Sequence, residues 1–358
     1  MITSLIMAGG KGERFWPKSR TNLPKQFLNI SGNKSMIQQA VARLERLMDI
    51  QQIFVVTNEL YAELISAQIP HLPSHNIIIE PIGRNTAPCI ALSSIYIQEK
   101  YPDSTIIVLP SDHIIKDEIE FIEILRTATE VAKQGENIVT LGISPTYPET
   151  GYGYIESTDQ VATINQMEVH RVRCFIEKPD QVTAENYLEA GNYYWNSGMF
   201  IWKASTIMNC FAKHMPDLYE NLSTMKLALN SPERELVIKN EFMKMPDQSI
   251  DYGIMEKAEN IFVIPCMLGW DDVGSWTALD RIDERDENGN VIRGNILNMD
   301  TRRCIIESNN GKLIATLGIE DLIVVDTDDV TLICSKDKAQ EVKQLLKELR
   351  MQKREQYL

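Results

Sequence analysis

Three glycines within four residues, Gly9, Gly10 and Gly12, close an apolar run that begins at Ile2. Lys11, Arg14, Lys18 and Arg20 follow, and Lys25 stands in Pro24-Lys25-Gln26-Phe27. Glycine lets amide N–H groups approach an oxyanion with no Cβ in the way, and basic side chains neutralise what those amides cradle. The combination reads as a polyphosphate site near the N-terminus. No G-x-x-x-x-G-K-[ST] is present, so it is not a Walker A loop. Phe15 occupies the last glycine position of a dinucleotide fingerprint, which disfavours hydride transfer. A tight strand-to-helix turn would explain the glycines alone, but not five cations arriving within fifteen residues.

Asp112, in Pro110-Ser111-Asp112-His113, directly follows the apolar run Ile106 to Leu109. A carboxylate at the carboxyl end of a central strand can hold Mg²⁺ against phosphate oxygens. Gly269-Trp270-Asp271-Asp272-Val273-Gly274-Ser275-Trp276 offers a second. Mg²⁺ takes one or two protein carboxylates and completes its shell with water and substrate phosphate, so Asp112 with Asp272 suffices. His113 reads as a structural neighbour, because hard Mg²⁺ prefers oxygen. Glu80 to Pro88 lies between a strand-like run and a helix start, where Asn85 and Thr86 can both cap the helix and read a base edge. Guanine offers adjacent N–H donors, for which Glu80 is a natural acceptor. Gly151 to Glu156, Phe175 to Pro179 and Trp195 to Phe200 mix glycine, aromatic and polar residues as a sugar site does. There Glu177 and Asn196 take hydroxyls and Lys178 a phosphate; a core aromatic cluster with turn glycines is the alternative.

Positioning these residues needs alternating strands and helices. Apolar runs at Ile53 to Val56, Ile77 to Ile79, Ile106 to Leu109 and Ile138 to Leu141 alternate with helical patterns. Ser35-Met36-Ile37-Gln38 reads as a capping box, Tyr61 to Gln68 as helical, Thr86-Ala87-Pro88 as a helix start and Glu118 to Gln134 as an amphipathic helix. This predicts an α/β domain with a Rossmann-like, mostly parallel mixed sheet flanked by helices, over residues 1–286. From 287 to 358 the pattern changes to short β-like runs: Val291 to Ile296, Cys304 to Glu307, Lys312 to Thr316, Leu322 to Val325 and Thr331 to Cys334. Turns such as Asn309-Asn310-Gly311 separate them, and a charged helix from Asp337 to about Arg354 follows. These make a small β-helix-like module whose tail and terminal helix suit a homodimer.

The net charge of -14 argues against a nucleic-acid binder but allows a small anionic ligand, because the cations are local. Six scattered cysteines without a C-x-x-C pair read as reduced thiols, and no apolar run reaches membrane-spanning length. The expectation is a cytoplasmic protein without membrane or nucleic-acid partners.

Together the motifs from Gly9 to Trp276 resemble the sugar-nucleotidyltransferases, and closely the mannose-1-phosphate guanylyltransferases. Gly83-Arg84-Asn85-Thr86-Ala87-Pro88 and Ser249-Ile250-Asp251-Tyr252-Gly253 run in family order with those above. The resemblance implies a GT-A-like nucleotidyltransferase fold with a left-handed β-helix tail. It also implies transfer of GMP from GTP to mannose 1-phosphate, giving GDP-mannose and pyrophosphate with Mg²⁺ as cofactor. Carried onto this chain, Ala8, Gly9, Gly10, Lys11, Gly12 and Arg14 hold the GTP phosphates and Lys25 the α-phosphate and pyrophosphate. Glu80, Asn85, Thr86 and Ala87 surround guanine. Tyr152, Gly153, Glu177, Lys178, Asn196 and Gly198 hold the sugar phosphate, and Asp112 and Asp272 the metal. The chain departs from long bacterial members in carrying no cupin-like isomerase domain, which implies no isomerase activity. Transfer with another base or sugar, and a catalytically silent sugar-nucleotide sensor, are the rival readings.

Overall fold

Strands that are apolar on both faces must lie inside a sheet covered on both sides. The computed structural model, which describes residues 1–309 and 311–358, shows such a sheet. Its strands are β1 (Ile2–Met7), β2 (Ile53–Asn58), β3 (Ile77–Glu80), β4 (Thr105–Pro110), β5 (Ile138–Ile143), β6 (Gly153–Ile164), β7 (Met167–Glu177), β8 (Tyr193–Lys203) and β9 (Ile261–Cys266). They lie in the order β3-β2-β1-β4-β8-β5-β9-β7-β6. β1 to β4 pair in parallel, β8 enters antiparallel between β4 and β5, and β6 with β7 makes an antiparallel hairpin. The sheet is therefore mixed, and parallel on the side that leads into the glycine loop.

The helices are α1 (Met36–Leu44), α2 (Glu59–Gln68), α3 (Thr86–Lys100), α4 (Glu118–Lys133), α5 (Gln181–Ala190), α6 (Ala204–His214), α7 (Pro216–Ala228) and α8 (Arg234–Phe242). The capping box before α1 is present: Gln38 Oε1 accepts from Ser35 N at 2.9 Å and Ser35 Oγ from Gln38 N at 3.4 Å. Phe200 and Trp202 of β8, stacked at 5.7 Å, share one buried apolar cluster with Phe211 of α6 and Phe242 of α8.

The C-terminal strands are β10 (Val291–Arg293), β11 (Ile296–Met299), β12 (Ile305–Ser308), β13 (Ile314–Leu317), β14 (Leu322–Asp326) and β15 (Thr331–Ser335). β10, β12 and β14 stack in parallel, as do β11 and β13, and β15 closes the larger stack antiparallel. The first expected run is two strands, separated by a corner at Gly294-Asn295. The Asn309-Asn310-Gly311 turn includes Asn310, which lies outside the described residues. Two short helices complete this part, α9 (Leu279–Ile282) and α10 (Val342–Met351), the latter preceded by a 3-10 turn over Lys336–Glu341.

Packing regroups the chain. One compact unit comprises Met1–Gly9, Ala40–Ser111 and Ile115–Trp270; the other comprises Gly10–Gln39, Asp112–Ile114 and Asp271–Leu358. In the second unit Phe15, Trp16, Leu28 and Trp276 bury into one cluster with Val291, Ile305, Val342 and Leu346. Trp276 Nε1 donates to the Trp16 carbonyl at 3.0 Å, which satisfies its polar edge within that cluster. The six cysteines are free thiols. Among the described residues no helix is long and apolar enough to cross a membrane.

Candidate active site

In the second unit the glycine loop turns at Gly12, whose φ is +58°. A Cβ there would lie 2.2 Å from the Lys25 Cβ, so only glycine allows the two backbones this approach. Phe15, three residues on, is held by Trp276 at 5.1 Å between ring centroids. Lys25 is buried, 5% exposed, with its ammonium 2.8 Å from Asp112 Oδ2. It also donates to the carbonyls of Asp272 at 2.7 Å and Val273 at 2.9 Å. A second link is the bridge between Ile114 and Asp271, with N–H···O distances of 2.9 and 3.0 Å. The two carboxylate motifs, far apart in sequence, are thus joined by one lysine and one backbone bridge.

Burial works to raise the Asp112 pKa, but the Lys25 ammonium, His113 and the hydrogen bond from Lys25 outweigh it and hold it below the usual carboxylate value. Asp112 is therefore ionised at neutral pH. Asp272 Oδ1 accepts from Gly274 N at 3.1 Å. Lys11, Gly12, Arg14, Lys25, Asp112 and Asp272 line one cavity of about 380 Å³. Lys11 and Arg14 are exposed and have no hydrogen-bond or ion-pair partner among the described residues. Lys18 and Arg20 are committed elsewhere: Lys18 pairs with Glu307, and Arg20 meets Asp329 at 2.6 Å and the Tyr357 carbonyl at 2.7 Å. The five cations that follow the glycines thus separate into two free, one clamped and two tied to the C-terminal strands and turns.

Two oxygen-donor carboxylates on one cavity fit a hard divalent metal ion, whose shell water and phosphate can complete. Among the described residues no group of three or more His, Cys, Asp or Glu forms a closed metal cage.

In the first unit Glu80 sits beside Gly9, 5% exposed, with no side-chain hydrogen-bond partner among the described residues. Burial pushes its carboxyl pKa up to about 7. The expected base-reading residues next to it hold the protein together. Arg84 donates to the Met243 and Met245 carbonyls, both at 2.6 Å. Thr86 Oγ1 accepts from Ile250 N at 2.8 Å, and Ala87 N donates to the Gln248 carbonyl at 3.1 Å. Asn85 Oδ1 accepts from Thr86 N at 2.9 Å. Residues 84–87 thus latch residues 243–250, a task invisible in the sequence because its partners lie some 160 positions away.

The latched segment delivers Asp251, which begins a π-helical turn, Asp251–Met255. Such turns recur at functional sites. Asp251 Oδ1 accepts from Asn196 Nδ2 at 2.8 Å, while Asn196 Oδ1 accepts from Gly198 N at 3.0 Å. Burial, with the Glu177 carboxylate adding to it against the Asn196 hydrogen bond, raises the Asp251 pKa. Glu177 Oε1 lies so close to Gly153 that a Cβ on the glycine would meet it at 2.7 Å. Lys178, at a φ of +44°, turns its ammonium to 2.9 Å from Glu177 Oε2. Asn85, Glu177, Lys178, Asp251 and Tyr252 line a cavity of about 590 Å³. Tyr152 packs edge-on against Trp195 at 5.2 Å and Trp270 at 5.3 Å. Asp251 is the residue that sequence reasoning left without a role; its signal was the Ser249 to Gly253 motif.

Residues 3–289 match the model of the nucleotidyl transferase family, and residues 294–349 that of the MannoseP isomerase/GMP-like beta-helix domain. A mannose-1-phosphate guanylyltransferase of Salmonella montevideo is 40% identical over 363 residues, covering 100% of this chain and 76% of the relative. The chain belongs to the mannose-1-phosphate guanylyltransferases of the nucleotidyl transferase family. A further relative, the alginate biosynthesis protein AlgA of Pseudomonas aeruginosa, is 39% identical over 98% of this chain and 72% of its own length. A solved structure from Thermus thermophilus, named a mannose-1-phosphate geranyltransferase, aligns with a TM-score of 0.87 at 34% identity, over 98% of this chain and 99% of that one. For a guanylyltransferase of this type, the glycine loop, the Asp112 and Asp272 loops and the Glu177 to Asp251 cavity all lie within the stretch matched by the transferase model.

Proposed function

We propose that the chain transfers GMP from GTP to mannose 1-phosphate, forming GDP-mannose and releasing pyrophosphate. The observation that carries this reading is the second-unit cavity, where Asp112 and Asp272 stand fixed by buried Lys25 beside partnerless Lys11 and Arg14. A metal–triphosphate requires that pairing of fixed carboxylates and free cations. Asp112 and Asp272 would hold Mg²⁺, which when bound would supply neutralisation of phosphate charge.

The chain's own residues do the rest. Lys11 and Arg14 take the triphosphate oxygens, and Lys25 keeps the Asp112 carboxylate and the Asp272 backbone in place rather than reaching for phosphate itself. Ionised Asp112 is ready for a cation at neutral pH. Glu80 accepts from the guanine edge in its ionised form, and Glu177, Asn196 and Asp251 receive sugar hydroxyls, with Lys178 on the sugar phosphate. A phosphate monoester has a second pKa near ~6, so the attacking oxygen is already anionic and no general base is needed. One bond forms between that oxygen and the α-phosphorus while the bond to the β-phosphate oxygen breaks, its electron pair leaving with pyrophosphate. Catalysis is positioning and charge neutralisation. Free thiols are consistent with a reducing, cytoplasmic setting.

The test is Mg²⁺-dependent pyrophosphate release with GTP, dTTP, ATP and CTP, each against mannose 1-phosphate and glucose 1-phosphate. GTP with mannose 1-phosphate gives the highest kcat/KM. A faster rate with another pair moves the base or sugar assignment, and no release from any pair overturns transfer.

A further inference from the structure

The nucleotidyl transferase match ends at residue 289, yet one residue lining the Asp112–Asp272 cavity comes from well beyond it: Lys343, in α10. Three features of α10 fix that placement. Val342 and Leu346 are buried, and Leu349 is partly buried, in the same apolar cluster as Phe15 of the glycine loop. Arg350 forms an ion pair with Glu13 of that loop at 2.7 Å. Lys343 and Arg350 are seven residues apart, so a straight helix puts them within roughly 20° of each other, on one flank of the apolar stripe. With one end of that flank tied to Glu13, the other end presents Lys343 to the cavity. Its ammonium is exposed and has no hydrogen-bond or ion-pair partner among the described residues.

Charge balance says what it serves. Lys25 is consumed by Asp112 and two carbonyls, and Lys18 and Arg20 are consumed by Glu307 and Asp329. Among the described residues that line the cavity, the free cations are therefore Lys11, Arg14 and Lys343. A nucleoside triphosphate brings roughly four negative charges at neutral pH, three of them leaving with pyrophosphate. An exposed, unpartnered lysine on an anchored helix suits the leaving end, which must be held during transfer and released after it.

We propose that Lys343 is a pyrophosphate-binding residue of the transfer site, so that the C-terminal helix contributes directly to the reaction. This rests on the transfer reading above. In the forward direction Lys343→Ala raises KM for GTP about tenfold, and in reverse it raises KM for pyrophosphate by a similar factor. KM values for mannose 1-phosphate and GDP-mannose stay within about twofold, the thermal midpoint is unchanged, and Lys343→Arg restores most of the loss. Lys353→Ala, an exposed lysine past the end of α10, serves as the charge control and leaves all four KM values alone. Unchanged KM values for GTP and pyrophosphate in Lys343→Ala overturn the proposal. So does a uniform rise in all four with a lowered thermal midpoint, which marks a structural role. Calorimetric titration of Mg–pyrophosphate into wild type and Lys343→Ala separates this from the reaction itself: equal affinities refute the Lys343 assignment whichever nucleotide the enzyme uses, and weaker binding to the variant supports it.

Discussion

Glu80→Gln preserves the shape of a side chain that is 5% exposed and removes its ability to ionise. Burial has moved that carboxyl from the ordinary 4.5 to about 7. Between those values the unfolded chain has given up the proton while the folded chain keeps it. The unfolded state then binds fewer protons, so stability falls as pH rises across this window and is level above it. At about 1.36 kcal/mol per pKa unit, the shift amounts to roughly 3 kcal/mol of stability lost by wild type between pH 4.5 and 7. The glutamine variant loses none of it. With an unfolding entropy of ~2.1 cal/mol/K per residue, a chain of 358 residues converts that into a gap of about 4 °C in midpoint. Scanning calorimetry of both proteins from about pH 5 to about pH 8 reads it: the variant melts within about 1 °C of wild type at the acid end and about 4 °C higher at the alkaline end. A gap that stays constant across the range refutes the buried-carboxylate account. The same titration bears on the base site. If ionised Glu80 accepts from guanine, wild-type affinity for GTP rises from about pH 6 to about pH 8, and the variant binds weakly with no such rise.

Lys25→Ala lowers kcat more than it raises KM for GTP and also costs about 2 kcal/mol of stability, the partly exposed Asp112 reducing the usual penalty for breaking a buried pair; a variant with full stability and reduced kcat would mean that the ammonium acts on phosphate and not as a clamp. Asp112→Ala abolishes turnover while circular dichroism stays native, and near-wild-type rates exclude it as a metal carboxylate. Gly153→Ala puts a methyl group 2.7 Å from Glu177 Oε1 and raises KM for mannose 1-phosphate about tenfold with KM for GTP unchanged; equal rises in both show that Glu177 is not a sugar group.

What was legible in the sequence is what depends on neighbours along the chain. The capping box at Ser35 and Gln38 satisfies its own helix terminus within four residues, and the apolar runs of β1, β2 and β4 state their burial directly. The mixed sheet was legible in outline, but the entry of β8 between β4 and β5 is a long-range choice that periodicity does not encode. The same distinction runs through the site. Lys11, Arg14, Lys18, Arg20 and Lys25 carry one formal charge each, and counted by sequence they form one basic patch. Folding divides them by partners up to 337 positions away: Glu307, Asp329 and the Tyr357 carbonyl take two, and the Asp112 and Asp272 loops take a third.

Lys343 is the converse case. In sequence it is one of several lysines on a charged amphipathic helix, with no feature to separate it from Lys347 or Lys353. It acquires an address only because Leu346 buries beside Phe15 and Arg350 finds Glu13. A cation near a phosphate loop is evidence for phosphate binding only once its other partners are known. By that criterion the cavity loses Lys18, Arg20 and the free ammonium of Lys25 and gains Lys343. The number of cations that can follow a triphosphate through transfer is thus set by how the C-terminal segment folds as much as by the glycine loop itself.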